Sequence, residues 1–122
     1  MSIVIKRAYE EPSKDDGYRV LVERLWPRGM KKDAVPLDQW AKELAPSTAL
    51  RKWFGHEPAR WDGFRHRYAA QLDELAEYWQ PLAERSARHQ VSLIYSAHDE
   101  EHNGAIVLRD YLQNWLRTHG PR

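Results

Sequence analysis

The sequence predicts a small α/β domain in which a mainly parallel sheet of three or four strands is covered by helices. The run Val91–Ala97 is short and almost wholly apolar, which is typical of a strand buried on both faces. The run Arg19–Leu25 is rich in β-branched and apolar residues and forms a second such strand. Segments with helical periodicity separate the two runs, and this order favours a right-handed parallel crossover.

The first residues alternate around Ile3 and Ile5 and predict a further strand. The polar segment that follows predicts a tight turn or one helical turn, capped by Ser13 and ended by Gly17. The connection from the first strand to the second is short, so the residues alone leave open whether these strands form a hairpin or run parallel.

Apolar residues at helical spacing predict five helical segments, at residues 37–44, 48–54, 58–75, 82–88 and 105–115. Ser47 is a natural N-cap for the second segment, and Pro81 divides the third from the fourth. Gly63 indicates close packing or a bend. Four aromatic residues at helical spacing should pack the core: Trp53, Phe54, Trp61 and Phe64.

Composition excludes several classes of protein. The 122 residues fit one domain, residues 1–122, and 19 basic against 18 acidic residues argue against a generic polyanion-coating protein. There is no cysteine, so disulfides and thiol nucleophiles are excluded. The first residues are charged too early for a signal peptide, and no apolar run has the length of a membrane span. We therefore expect a cytoplasmic protein that does not enter a membrane.

An anion site is predicted where the second strand ends. Arg24, Trp26 and Arg28 lie at that point, and Arg51 on the helix capped by Ser47 should close the site from above. Guanidinium groups recognise carboxylates and phosphates with paired hydrogen bonds. The alternative, equally open at this point, is that the arginines form structural ion pairs with Glu23, Glu43 or Asp99.

A second group of candidates follows the last strand. Asn103 is a good N-cap, and the free N–H groups and dipole of the helix after it suit an anion. The residues alone favour the alternative, an ordinary capped helix without a ligand, and the anion interpretation gains if Arg24 and Arg28 lie opposite. In the hypothesis of catalysis, Asp99 orients an arginine or acts as a base, His102 titrates, and Tyr95 donates its hydroxyl. His98 and His102 lie four residues apart, but no third ligand is evident, so we expect neither a metal nor a cofactor.

Several motifs resemble those of the YeaO-like family, bacterial proteins of unknown function. They are Gly17–Val22, Arg24–Gly29, Glu43–Ser47, Leu50–His56 and Asp99–Asn103. The resemblance covers nearly the whole chain. It implies no agreed reaction.

A longer branch of that family resembles this chain more weakly. That branch has a glycine–histidine run after its first strand and a cysteine–histidine–arginine run after its last. The matching positions here are Lys6–Tyr9 and His102–Ala105, so thiol chemistry is out of reach for this chain. The connection after the first strand looks helical in the longer branch, which favours parallel first strands here.

Two functional hypotheses remain. The first is a small-molecule protein, an enzyme or a binder, that holds a phosphate- or carboxylate-bearing ligand at the carboxyl ends of the strands. The second is a nucleic-acid-associated module that uses Arg28, Lys31, Lys32, Lys52 and exposed tryptophans. The even charge favours the first. The sequence leaves open the ligand, the reaction class and the oligomeric state.

Overall fold

The structure, a computed structural model, describes residues 2–119. These residues form strands β1 (Ile3–Arg7), β2 (Tyr18–Leu21), β3 (Gln39–Trp40) and β4 (Val91–Tyr95). The α-helices are α1 (Thr48–Phe54), α2 (Trp61–Asp73), α3 (Ala76–Ser86) and α4 (Gly104–His119). Short 3-10 turns lie at Lys14–Asp16, Lys32–Ala34, Lys42–Leu44 and Pro58–Arg60. None of the helices in this part of the chain is both long and apolar enough to cross a membrane.

The four strands form one parallel sheet in the order β1-β4-β2-β3. The central strand β4 pairs with both neighbours, so that Leu93 lies opposite Ile5 on one side and Val20 on the other. This confirms the predicted α/β fold and the central position of the two apolar runs. The first two strands run parallel, as the family resemblance implied, but β4 lies between them.

The two faces of the sheet are covered differently. On one face, side chains such as Val20 and Leu93 pack against residues from all four α-helices in the main core. On the other face, a second and smaller core contains Ala8, Leu21, Val35 and Ile94, and loops rather than helices cover it. The sheet therefore has a helical face and a loop face.

The aromatic core prediction is confirmed. Phe54 and Phe64 are buried and stack with ring centroids 4.6 Å apart, while Trp53 and Trp61 pack against the same cluster. A β-carbon added to Gly63 would lie 2.7 Å from the Trp53 ring, so this glycine marks close packing. Burying rings of this size stabilises the fold by about 1.5–3 kcal/mol each.

The helix predicted at residues 37–44 is wrong. This segment forms β3 and a 3-10 turn, because its backbone pairs with β2: the Asp38 and Ala41 amides donate to carbonyls of β2 at 2.8 Å. The apolar spacing was misleading because the residues divide between the two faces of the sheet. Ala41 and Leu44 enter the main core, whereas Leu37 and Trp40 pack against the second core.

The predicted division at Pro81 is also wrong, because α3 continues through it. Pro81 is exposed, and its neighbours Trp79, Leu82 and Ala83 are buried in the main core. Their burial, together with the bond from the Trp79 indole to the Leu72 carbonyl, offsets the loss of one helical hydrogen bond.

Both central strands are shorter than predicted. β2 ends at residue 21 and β4 at residue 95, since the chain beyond each point turns away from the ladder. Leu25, which was placed inside the second strand, is 68% exposed.

The connection from β1 to β2 crosses the loop face of the sheet, and a buried carboxylate holds it there. Ser13 caps the turn as predicted, and it forms a capping box with Asp16. The Asp16 carboxylate also accepts bonds from Lys6 of β1, at 2.8 and 3.1 Å, and from Arg19 of β2. Ser92 of β4 donates its hydroxyl to the Asp16 carbonyl at 2.6 Å. Three adjacent strands thus bind one short turn.

Two opposing effects act on the pKa of Asp16. Burial, the largest single effect, would raise the pKa above its ordinary value of 3.8. Hydrogen bonds from Lys6, the Ser13 amide and Arg19 together outweigh burial and lower it. Since the folded state has the lower pKa, the charged carboxylate stabilises the fold at neutral pH, and this stabilisation is lost as the pH falls through the folded pKa.

We expect Asp16→Asn to destabilise the protein by about 3–5 kcal/mol, because it leaves two cations near the sheet without their anion. Urea unfolding at pH 7 measures the change, and Asp15→Asn is the control, since that side chain is exposed. The difference between wild type and Asp16→Asn should shrink as the pH falls below about 4. A difference that stays constant down to pH 2 would contradict this assignment.

Gly17 ends the crossing turn with φ +65°, and a β-carbon there would lie 2.3 Å from the Gln90 carbonyl oxygen. We expect Gly17→Ala to destabilise the fold by about 3 kcal/mol through strain and this clash. Gly29→Ala separates the two causes: φ is +79° but nothing lies within 4 Å, so only strain of about 1–2 kcal/mol is expected. If urea unfolding showed the same loss of stability in both variants, the clash with the Gln90 carbonyl would be relieved in Gly17→Ala.

Candidate functional site

The carboxyl ends of the parallel strands meet at one edge of the sheet, and two charged side chains fix the exit of the central strand. Arg7, the last residue of β1, donates to the carbonyls of Ser96 and Ala97 at 3.2 and 3.0 Å. Glu23, just after β2, accepts from the amide and hydroxyl of Ser96. The segment leaving β4 is therefore held from both sides.

Beyond β2 the chain forms a turn at residues 24–30, which we call the arginine turn. The Trp26 indole donates to the Met30 carbonyl at 2.7 Å, and the Met30 amide donates to the Pro27 carbonyl at 3.3 Å. The Tyr9 hydroxyl donates to the Arg28 carbonyl at 2.9 Å. Pro27, within the turn, is fully buried. The backbone that presents Arg28 is thus fixed from within and from the β1 exit.

Both arginines of the arginine turn point to solvent. Arg24 and Arg28 are exposed, and within residues 2–119 neither guanidinium takes part in a hydrogen bond or an ion pair. In the described chain Arg24 and Arg28 form none of the structural ion pairs considered above, with Glu23, Glu43 or Asp99. Glu23 binds Ser96 instead, and Asp99 binds His102. The two guanidiniums keep their capacity to bind an external anion.

The tryptophans beside this turn are engaged in packing. Trp26 and Trp40 meet edge to face at 5.4 Å, and the Trp40 indole donates to the Glu23 carbonyl at 2.7 Å. The Lys42 ammonium lies 4.0 Å from the centre of the Trp40 ring. The rings are half-buried, so they support the turn more than they offer a free stacking face.

The loop between β4 and α4 caps itself. Asp99 accepts from the amides of Glu101 and His102 at 2.9 and 3.0 Å. Asn103, as predicted, caps α4 by accepting from the Ile106 amide at 3.1 Å, and its side-chain nitrogen donates to the Asp99 carbonyl. The Asp99 carboxylate therefore already occupies the position that an anion would take at the amides of Glu101 and His102.

His102 is oriented by two neighbours. Its Nδ1 lies 3.0 Å from the second Asp99 oxygen, and its ring meets the edge of Trp61 at 5.2 Å. The pKa of Asp99 is lowered, first by the bond from the Glu101 amide and also by His102. This arrangement fixes one ring nitrogen of the imidazole and leaves the other for a proton or a ligand.

Tyr95, at the end of β4, is buried in the main core. Burial, followed by the nearby Glu100 carboxylate, raises the pKa of its hydroxyl above the ordinary value of 10. The phenol therefore stays protonated at neutral pH.

Arg51 lies apart from the other arginines. It is exposed on α1, and its only polar contact within the described chain is a long one, 3.4 Å, to the Thr48 hydroxyl. The start of α1 does approach the start of α4, since Pro46 lies 3.4 Å from where a β-carbon of Gly104 would be.

The predicted residues therefore fall into three places. Arg24, Trp26 and Arg28 share the arginine turn. The capped loop holds Asp99, His102 and Asn103, with Tyr95 at the end of β4 just before it. Arg51 is separate. Among the described residues no hydrogen bond or ion pair joins one place to another.

The sequence interpretation missed three residues at this edge: Arg7, Tyr9 and Glu23. Each is a polar residue at the end of an apolar run, and this is the signal that could have identified them.

Two features lie outside these places. In the described chain no group of three or more histidine, aspartate and glutamate side chains is placed to hold a metal ion. An open depression of about 690 Å³ lies at the opposite edge of the sheet, where β1 begins. None of the predicted site residues lines it. Its lining residues are Ser2, Ile3, Ser86, Asp110, Gln113, Leu116 and Arg117.

The capped loop makes one prediction. Because hydrogen bonds lower the pKa of Asp99, the amide resonances of Glu101 and His102 should titrate with a midpoint below 3.8. Amide NMR shifts followed from pH 6 to pH 2 measure this midpoint. The same resonances in Asp99→Asn should show no such step, and a midpoint at or above 3.8 in wild type would contradict the capping role.

The chain matches a family model described as "Inactive DUF488-N3 subclade" over residues 2–121. An Escherichia coli (strain K12) protein, "Uncharacterized protein YeaO", is 43% identical over 118 residues, which cover 97% of this chain and 99% of the relative. Uncharacterized proteins of Mycobacterium bovis and Mycobacterium tuberculosis (strain H37Rv) are each 37% identical over 108 residues, 88% of this chain and 91% of theirs.

No solved structure matches the chain. The family model and the relatives agree with the motifs at Gly17–Val22 and Arg24–Gly29, and they extend over almost the entire sequence. The chain therefore belongs to the YeaO-like family, which the matching family model describes as the inactive DUF488-N3 subclade.

Proposed function

We propose that this chain is a binding protein without catalytic activity, and that it recognises a phosphate- or carboxylate-bearing small ligand through Arg24 and Arg28. One observation carries the proposal. Both guanidiniums are exposed and without a polar partner in the described chain, on a turn whose backbone is fixed by Tyr9 and Trp26. A fixed backbone reduces the entropy that binding must overcome.

Three facts support binding without catalysis. The family is described as inactive. The chain has no cysteine, so no thiol nucleophile exists. In the loop before α4, the amides of Glu101 and His102 are bound to Asp99, so a substrate oxyanion at these two amides would have to displace that carboxylate.

The other predicted residues take supporting roles in this proposal. Asp99, His102 and Asn103 hold the capped loop at the same edge of the sheet, and Tyr95 packs in the main core. Trp26 holds the turn closed. Arg51 does not contact the ligand, because it lies on α1 with no contact to the arginine turn among the described residues.

The test is a titration of wild type with inorganic phosphate, citrate and ADP, followed by thermal shift and calorimetry. We expect at least one of these anions to raise the melting temperature. Arg24→Ala and Arg28→Ala should each weaken binding about tenfold or more, since one charge-assisted bond contributes about 1.5–3 kcal/mol. Both variants should keep the wild-type melting temperature without ligand, because these side chains have no partner to lose.

Arg88→Ala is the matched control, an exposed arginine that precedes β4 at the opposite edge of the sheet. It should bind like wild type. Equal weakening in Arg88→Ala would indicate a general charge effect. If wild type responds to none of the three anions, or if Arg24→Ala and Arg28→Ala melt early without ligand, the proposal fails.

A further inference from the structure

A second cationic surface lies on the helical side of the protein. Residues 51–67 contain five of the 19 basic residues and only two of the 18 acidic residues, in a chain whose net charge is +1. One of the five, Arg65, pairs with Asp62 at 2.6 Å. Four cations remain, and within residues 2–119 none of them binds a carboxylate: Arg51, Lys52, Arg60 and Arg67. We call these four residues, with Trp53 and His56, the Trp53 surface.

Two of these cations are held against the Trp53 ring. The guanidinium carbon of Arg67 lies 4.0 Å from the ring centre and that of Arg60 lies 5.3 Å from it. Arg60 also donates to the Trp53 carbonyl. A cation–π contact leaves guanidinium N–H groups for other acceptors, because the group has five of them. The Trp53 ring is itself fixed, because it packs against Gly63.

The turn after α1 carries a strained residue at the same surface. Gly55 ends α1 with φ +53°, and His56 follows with φ +58°, the only non-glycine residue of the described chain with positive φ. A residue with a β-carbon is disfavoured there relative to glycine. His56 is exposed and makes no hydrogen bond in the described chain. Such outliers concentrate at binding sites.

We propose that the Trp53 surface binds the phosphate backbone of double-stranded nucleic acid without reading its sequence. Clustered cations with free N–H edges fit phosphate oxygens. Single strands are disfavoured because their binding needs exposed aromatic rings for base stacking. The Trp53 ring is covered by Arg67, and the large apolar side chains exposed in the described chain lie elsewhere: Tyr9, Leu25 and Tyr78.

The proposal is independent of the arginine turn, since it uses different residues. Fluorescence anisotropy with a short labelled DNA duplex of mixed sequence tests it. Binding of four phosphates predicts a slope of log K against log salt of about −3.6. The dissociation constant should be about 10⁻⁴–10⁻⁶ M at physiological salt. A labelled single strand and labelled polyglutamate serve as the competing ligands.

Variants locate the contact. Arg67→Ala should make the slope less steep by about 0.9, and Arg51→Ala combined with Lys52→Ala by about 1.8. Arg67→Lys keeps the charge and should keep the slope. His56→Gly should bind the duplex more weakly although it melts at the same temperature as wild type or higher. Lys14→Ala with Arg88→Ala is the matched control, because both cations are exposed and belong to neither surface, and it should leave the slope unchanged.

Several outcomes would overturn the proposal. They are no duplex binding by wild type at 50 mM salt, a slope that Arg67→Ala does not change, and a slope that depends on Arg24 and Arg28 instead. Tighter binding of the single strand, or binding of polyglutamate as tight as that of the duplex, would assign the surface to another partner. Failure here leaves the small-anion titrations of the arginine turn unaffected, so the two proposals are judged separately.

Discussion

The arrangement of the sheet depends on the buried carboxylate of Asp16. β1 and β2 are parallel and separated by β4, so the ten residues between them must cross a strand and reverse direction without an α-helix. The crossing turn lies against the sheet with its polar groups bonded to Lys6, Ser92 and Arg19. Without these partners the turn would place unpaired backbone and charge against an apolar surface.

This constraint also explains why the two faces of the sheet differ. The turn occupies the loop face above β4, and the second core beside it is small. The α-helices all pack on the other face, where the main core forms. The carboxyl edge lies between a helical side and a loop side, and the arginine turn belongs to the latter. The position of the arginine turn follows from the path of the β1–β2 connection across the loop face, and not from the conformational preferences of residues 24–30.

Much of the fold follows from short-range patterns, and the errors have physical causes. The two central runs, the capped turn at Ser13 and the α4 cap at Asn103 were predictable because each depends on local chemistry. The segment 37–44 was not, since its residues reach opposite cores and its backbone pairs with β2. At Pro81 tertiary burial overrode a local rule.

The candidate site was predictable only as a location. Parallel strands bring Arg24 and Asp99 to one edge, and that much follows from the order of elements. Sequence could not show that Glu23 and Arg7 would bind the β4 exit, or that Asp99 would bind its own loop. These contacts join residues distant in sequence or depend on loop geometry, and they decide which charges remain free.

The two cationic regions, residues 24–32 and 51–67, differ from the rest of the molecule in their excess of basic over acidic residues. The remaining segments are acidic overall, because residues 24–32 and 51–67 together hold nine of the 19 basic residues and two of the 18 acidic ones. The arginine turn fixes its backbone and leaves its two guanidiniums exposed and without a polar partner in the described chain, a geometry that suits a small anion. On the Trp53 surface two of the four cations, Arg60 and Arg67, already lie against a ring, so these two lose less rotamer entropy when an extended row of phosphates binds. The even net charge of the chain is therefore the sum of cationic and acidic regions, and the charge of each region decides which partners it can attract.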